Sequence, residues 1–166
     1  MLFIGKLFRQ EASYFSCAYN YDFLQKLAIL KRNFSNGKII AVTGSSGKTT
    51  VKDLLGNLLK NYGNTYYSPS SFNNSYGVPL SLCNLERDHE FGVFEIGMSK
   101  SGEINDLSKI VKPDLAIITN IAEAHIENFK NLKGIANAKS EIIDNIQNGG
   151  TLILNKDINF FNYLEK

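Results

Sequence analysis

From Lys38 onward, short runs of consecutive apolar residues alternate with stretches in which apolar residues recur every three or four positions. The first kind suits a strand buried on both faces, and the second is the stripe of an amphipathic helix. Their alternation predicts a parallel sheet with helices on both faces, the α/β class. KIIAVT (38–43) reads as the first strand, and Val51, Leu54, Leu55, Leu58, Leu59 and Tyr62 mark a helix that Gly63 stops. There follow a weak strand NTYYS, a loop SPSSFNNSYG, a short helix from Pro79, a strand FGVFEIG and a helix EINDLSKIV. A strand DLAIITNI, a helix from Leu132 to Ile146 and a last strand TLILN complete the series, with about five strands in all. Residues 22–34 read as a further amphipathic helix with Phe23, Leu27, Leu30 and Phe34 on one face, and Ser35-Asn36-Gly37 joins it to the first strand. Residues 1–21 carry no clear period.

Composition narrows the classes. A chain of 166 residues, 43% hydrophobic and 20% charged, suits one domain that buries roughly 70% of its unfolded surface. The formal charge of +2 comes from 18 basic and 16 acidic residues spread along the chain, without the basic block that grips a nucleic-acid backbone. Cys17 and Cys83 form neither a C-x-x-C pair nor a disulfide framework, which points to a reducing cytoplasm. Lys6 and Arg9 interrupt the apolar start MLFIGKLFRQ, and no run reaches the roughly 18 apolar residues of a membrane span, so no membrane insertion is expected.

The candidate chemistry begins at Thr43-Gly44-Ser45-Ser46-Gly47-Lys48-Thr49-Thr50, between a buried strand and a helix start. The general phosphate-loop pattern G-x-x-x-x-G-K-[ST] wants glycine where this chain has Val42, and the early glycine stands instead at Gly44. Backbone N–H groups and the helix dipole converge on an anion there; Lys48 would hold the β- and γ-phosphates of ATP and Thr49 the accompanying Mg²⁺. A plain glycine turn capped by serines is the alternative.

Glu95 ends a predicted strand, where ligands gather in open α/β sheets, and a hard cation would need such a carboxylate; an exposed rim glutamate reads the same. His125 follows the strand DLAIITNI and is equally open between ligand and exposed side chain. Asn73 and Asn74 offer amides to a phosphate or a substrate carboxylate, or simply make a polar turn. Lys139 interrupts the apolar stripe Leu132, Ile135, Ala136, Ile142, Ile143 and Ile146. It either snorkels to solvent or is buried enough to favour a neutral amine, which can add CO₂ as a carbamate and so become a Mg²⁺ ligand.

Four stretches together, VTGSSGKTTVKDLL, FNNSYGVPLSL, FEIGMSKSGEINDLSKIVKPDLAIITNIAEAHIENF and GIANAKSEI, resemble the Mur ligase family of peptidoglycan synthesis. The N-N-x-x-G-V-P loop and the G-E-I after E-I-G look most like the MurF branch, which adds D-alanyl-D-alanine. That family's loop resembles T-G-[ST]-x-G-K-[ST] and asks for no glycine at position 42. The resemblance implies that ATP phosphorylates the terminal carboxylate of a UDP-N-acetylmuramoyl tripeptide and that the amine of D-alanyl-D-alanine displaces phosphate. It implies two Mg²⁺ ions, one held by Thr49 and Glu95 and the other by His125, with Lys139 as a carbamate. It also implies that residues 1–34 are a remnant of a UDP-sugar-binding domain with a linker helix, and that 35–166 are the central ATP-binding domain, cut short at its end. The missing domains would then belong to a separate chain or have been lost, and the isolated chain is expected to be inactive. Other readings are a nucleotide-binding module without turnover, a different Mur ligase or a folylpolyglutamate synthase relative, and a small-molecule P-loop kinase, and the last gives no reason for the N-N-x-x-G-V-P loop.

Overall fold

The computed structural model describes residues 20–165. They open in a helix, α1, over 20–34, followed by β1 (Lys38–Thr43), α2 (Lys48–Leu59), β2 (Thr65–Tyr67) and α3 (Gly77–Cys83). Then come β3 (Phe91–Glu95), α4 (Glu103–Val111), β4 (Leu115–Ile118), α5 (Leu132–Ser140), β5 (Thr151–Leu154) and α6 (Phe161–Leu164). Short 3₁₀ turns lie at Ile126–Asn128 and Ile143–Asn145. The expectations for 1–19, including Cys17 and the first part of the N-terminal segment, lie outside the described residues.

The five strands form one parallel sheet in the order β2-β3-β1-β4-β5. β1 is the strand about which the order reverses, and in such sheets the crevice beyond its carboxyl end is where ligands bind. Register places the chemistry there. Val42 pairs with Glu95 and Thr43 with Ile118, so the end of β3 and the loop after β4 both flank the loop that leaves β1.

One face of the sheet carries the main core, in which Ile39, Ala41 and Phe94 meet Ala28 of α1, Leu82 of α3, Ile104 and Leu107 of α4, Ile135 and Ala138 of α5, and Leu164 of α6. The other face is covered by α2, whose Val51, Leu55 and Leu59 pack on Ile40, Val42 and Val93. Removing this apolar surface from water supplies the main driving force, at about 25 cal/mol per Å² buried.

The stripe of α1 turns away from the core, and that of α2 is divided between its Val51, Leu55 and Leu59, which pack on the sheet, and its outer residues. Phe23, Leu27, Leu30 and Phe34 of α1 are exposed, as are Leu54 and Leu58 of α2 and the following Tyr62. α1 is held instead by Ala28 and by the Arg32 guanidinium, which donates to the carbonyls of Val111 and Lys112 at 2.7 Å each. α2 turns Lys52 and Gly56 inward because the Tyr67 ring lies where any Cβ at position 56 would stand. Element ends also shift. α3 starts two residues before Pro79, where Gly77 N–H and Tyr76 N–H find Asn74 Oδ1. The helix expected to reach Ile146 gives way after Ser140 to the 3₁₀ turn at Ile143–Asn145.

Candidate functional site

Four residues, 44–47, carry the chain from β1 into α2. Gly44 has φ 150°, and a Cβ there would collide with Thr119 Oγ1. Gly47 stands at the helix N-cap with φ 77° and open space around it, so its backbone angle alone calls for glycine. The loop hangs from the segment after β4. Ser45 N–H donates to Asn120 O (3.0 Å), Ser46 N–H to Asn120 Oδ1 (2.8 Å), Ser45 Oγ to Ala122 O (2.9 Å), and Thr119 Oγ1 to Ser46 O (2.6 Å). The amides of Ser45 and Ser46 are thus already paired, which leaves the N–H groups at the start of α2 as donors open to an anion. Lys48 folds back over the turn, its Nζ donating to Gly44 O at 2.9 Å.

Glu95 is not a rim glutamate, for it is only 2% exposed. One carboxylate oxygen accepts from Thr49 Oγ1 and the other from Asn73 Nδ2, each at 2.7 Å. Asn73 O in turn accepts from Gly97 N–H at 2.7 Å, which pins the loop before α3 against the end of β3. The two asparagines therefore differ: the Asn73 amide reaches Glu95, while Asn74 Oδ1 serves the first turn of α3.

Lys139 does not snorkel. Its residue is 3% exposed, and burial, with the nearby Lys48 charge adding to it, lowers the ammonium pKa to about 7. α5, which carries it, is capped by Asn131, whose Oδ1 accepts from Gly134 N–H at 3.0 Å. Two residues on, the Glu141 carboxylate accepts from Ser101 Oγ and from Gly102 and Asn105 N–H, tying α5 to the start of α4. His125 takes a left-handed backbone (φ 58°) and stays half exposed, with Nδ1 3.9 Å from Glu127 Oε1.

A cavity of about 750 Å³ gathers Gly44, Ser45, Lys48, Asn73, Asn74, His125 and Lys139. Thr43, Ser46, Gly47, Thr49, Thr50 and Glu95 are not among its lining residues, and Thr50 is exposed on α2. Thr43 Oγ1 is buried without a hydrogen-bond partner. Among the described residues no three His, Cys, Asp or Glu side chains converge on a metal position. The Thr49 hydroxyl and Glu95 carboxylate nonetheless fit a hard cation such as Mg²⁺, being adjacent oxygen donors with no thiol or imidazole between them. No described helix is long and apolar enough to cross a membrane.

A glycine turn between a central parallel strand and a helix, with a lysine over it and a buried carboxylate beside it, defines a P-loop α/β domain. The model of the Mur ligase middle domain matches residues 42–166, and the chain belongs to the Mur ligase family. It is 42% identical over 143 residues to the UDP-N-acetylmuramoyl-tripeptide–D-alanyl-D-alanine ligase of Buchnera aphidicola subsp. Baizongia pistaciae (strain Bp), covering 86% of this chain and 31% of that one. A crystal structure of MurF from Acinetobacter baumannii superposes with a TM-score of 0.83 at 39% identity, over 86% of this chain and 32% of that one. MurF ligase from Thermotoga maritima in complex with ADP gives 0.78 at 39% identity, over 82% and 32%. The chain thus spans about a third of the length of these relatives.

Sequence reasoning missed Thr119 and Asn120, which suspend the loop, Glu141, which ties two helices, and Lys52, which is buried. Only the loop's suspension had a sequence signal. Polar residues directly after a predicted buried strand stand beside whatever leaves the neighbouring strand.

Proposed function

We propose that these residues form the nucleotide-binding portion of an ATP-dependent, ADP-forming ligase that joins D-alanyl-D-alanine to the UDP-N-acetylmuramoyl tripeptide in peptidoglycan precursor synthesis. The observation that carries this reading is the cavity in which Gly44, Ser45 and Lys48 meet Asn73, His125 and Lys139. The printed activity of the Buchnera relative and the ADP held by the Thermotoga relative supply the substrate class and the nucleotide. The reading places the protein in the cytoplasm, where the nucleotide and the sugar-linked peptide are found together, and gives it no nucleic-acid partner.

In the reaction a carboxylate oxygen of the tripeptide attacks the γ-phosphorus and ADP departs with the bonding electrons. The dipeptide amine then attacks the acyl carbon, loses a proton and expels inorganic phosphate. Little covalent work falls to the protein, so positioning and charge dominate. Lys48 leaves Gly44 O to meet the β- and γ-oxygens, and the N–H groups opening α2 hold the same anion. Thr49 and Glu95 are the residues that would hold a Mg²⁺ ion, which when bound neutralises charge on the phosphate oxygens. His125, which lines the same cavity, is the candidate second metal ligand. Lys139, with a neutral fraction near pH 7, attacks CO₂ through its Nζ lone pair and releases a proton. The resulting carbamate replaces repulsion from Lys48 with attraction, and adds an oxygen ligand to the cavity that His125 also lines.

The test is calorimetric titration of the chain with ATP in Mg²⁺ buffer. Saturable binding that Lys48→Ala abolishes is expected. Equal binding by the two proteins would remove the phosphate-loop assignment.

A further inference from the structure

Lys52 heads the fully buried side chains by size among the described residues, 1% exposed, and no step above uses it. Its Nζ donates to Ser68 O at 2.6 Å, lies 2.7 Å from Asp53 Oδ1, and sits 5.7 Å from the centre of the Tyr67 ring. Ser68 is itself fully buried and follows β2 directly. Its N–H donates to Val93 O at 2.9 Å and its hydroxyl accepts from Glu95 N–H at 3.2 Å. Lys52 stands three residues after Thr49 on the same helix, and the Thr49 hydroxyl reaches the Glu95 carboxylate. A closed ring therefore runs from Thr49 along α2 to Lys52, across to Ser68, into the backbone of Glu95, and through its side chain back to Thr49.

We propose that Lys52 is a positioning residue for the Thr49–Glu95 oxygen pair. By gripping Ser68 O it fixes the spacing between the first turn of α2 and the end of β3 at which both oxygens face one divalent cation. The inference rests on the reading of this site as a Mg-nucleotide site and goes beyond it. Packing does not explain the lysine, because Val51, Leu55 and Leu59 already seat α2 on the sheet and an apolar chain of equal length would fill the same space. A buried ammonium carries a desolvation cost that hydrophobic replacement removes, so its hydrogen bond is worth most where it sets geometry. The partners of metal ligands act in this way, orienting donors they never replace.

The experiment compares ATP binding with Mg²⁺ and with EDTA, and the EPR linewidth of Mn²⁺ in the ATP complex, for the unsubstituted chain, Lys52→Met, Ser68→Ala, Glu95→Gln and the Lys52→Met/Glu95→Gln pair. Lys52→Met should lose about tenfold of the metal-dependent gain, with metal-free ATP affinity changed less than about twofold and an altered Mn²⁺ spectrum. Added to Glu95→Gln it should cost nothing further, since both act on one carboxylate. Ser68→Ala, which keeps the Lys52 bond to the carbonyl and cuts only the link to Glu95 N–H, should show a smaller selective loss. Lys52→Gln, measured alongside, is too short to reach Ser68 O, should show the full loss, and decides the matter if Lys52→Met does not fold. Equal weakening of metal-free and metal-bound ATP by Lys52→Met, additivity with Glu95→Gln, or an unchanged metal-dependent gain in Lys52→Gln would overturn the positioning role while leaving the nucleotide site standing. Failure of the unsubstituted chain to bind ATP at all would overturn the site reading, and this inference with it.

Discussion

Lys139 shows how far a single side chain can be read before a structure exists. Its place in an apolar stripe was visible, but stripe position cannot separate a buried amine from a snorkelling one; the depth of α5 against the sheet decides it. The consequence is a pH dependence of stability with a definite sign. The folded-state pKa is about 7 against an ordinary 10.5, so between those values the unfolded chain holds a proton that the folded chain has released. Unfolding free energy therefore rises with pH through that window, and the penalty is complete below pH 7. Lys48 from α2, His125, and Glu103, Asp106 and Lys109 from α4 share the cavity with Lys139, of which Lys48 adds to the shift. Thermal midpoints of the ligand-free chain in CO₂-free buffer should climb from pH 7 towards pH 9, and Lys139→Met should flatten the climb. With ¹³C-bicarbonate added, the unsubstituted chain should show a carbamate carbon resonance that Lys139→Met lacks. Lys52 was illegible for a different reason. A lysine followed by aspartate reads as a solvated pair, and the close approach of the Tyr67 ring to Gly56 one turn on, which covers that face of α2, is a tertiary contact.

At the scale of elements, existence was legible and orientation was not. All five expected strands are present. The central β1 and β3 fall where runs of apolar residues predict them because strands buried on both faces have no polar side to misplace, whereas the edge strand β5 exposes Thr151 and Ile153. The stripe of α1 faces away from the core and that of α2 is divided, Val51, Leu55 and Leu59 packing on the sheet while Leu54, Leu58 and Tyr62 are exposed, since periodicity reports which side is apolar and not which side a neighbour covers. Gly44 illustrates the opposite case, in which a sequence pattern has a direct steric cause. Gly44→Ala would drive a methyl into Thr119 Oγ1, so the loop must leave its place, and calorimetry should show ATP binding lost with the sheet intact by circular dichroism. A milder test concerns α5. Asn131→Ala removes the one side chain that caps it and should cost about 1 kcal/mol in denaturant unfolding, with the m-value unchanged.

For the whole molecule, the site lies where topology puts it, at the carboxyl end of the strand about which the sheet order reverses. That much follows from strand order, which the sequence does not display. Ligation also needs two further reactants held at the acyl centre, and positioning of this kind accounts for as much as about 7–11 kcal/mol of a barrier. The 166 residues alone should therefore bind nucleotide without joining D-alanyl-D-alanine to the tripeptide, as read by coupled ADP release and by mass detection of the product. Turnover by the isolated chain would show that the middle portion positions more than its cavity suggests. The suspension of the phosphate loop from Asn120 and Ala122 has a consequence for motion. The loop cannot loosen without releasing the segment after β4, so opening of either is a single event with a single free energy. A nucleotide seated on α2 would then slow solvent deuterium uptake at residues 119–122 as much as in the loop itself, making that segment a remote gauge of occupancy.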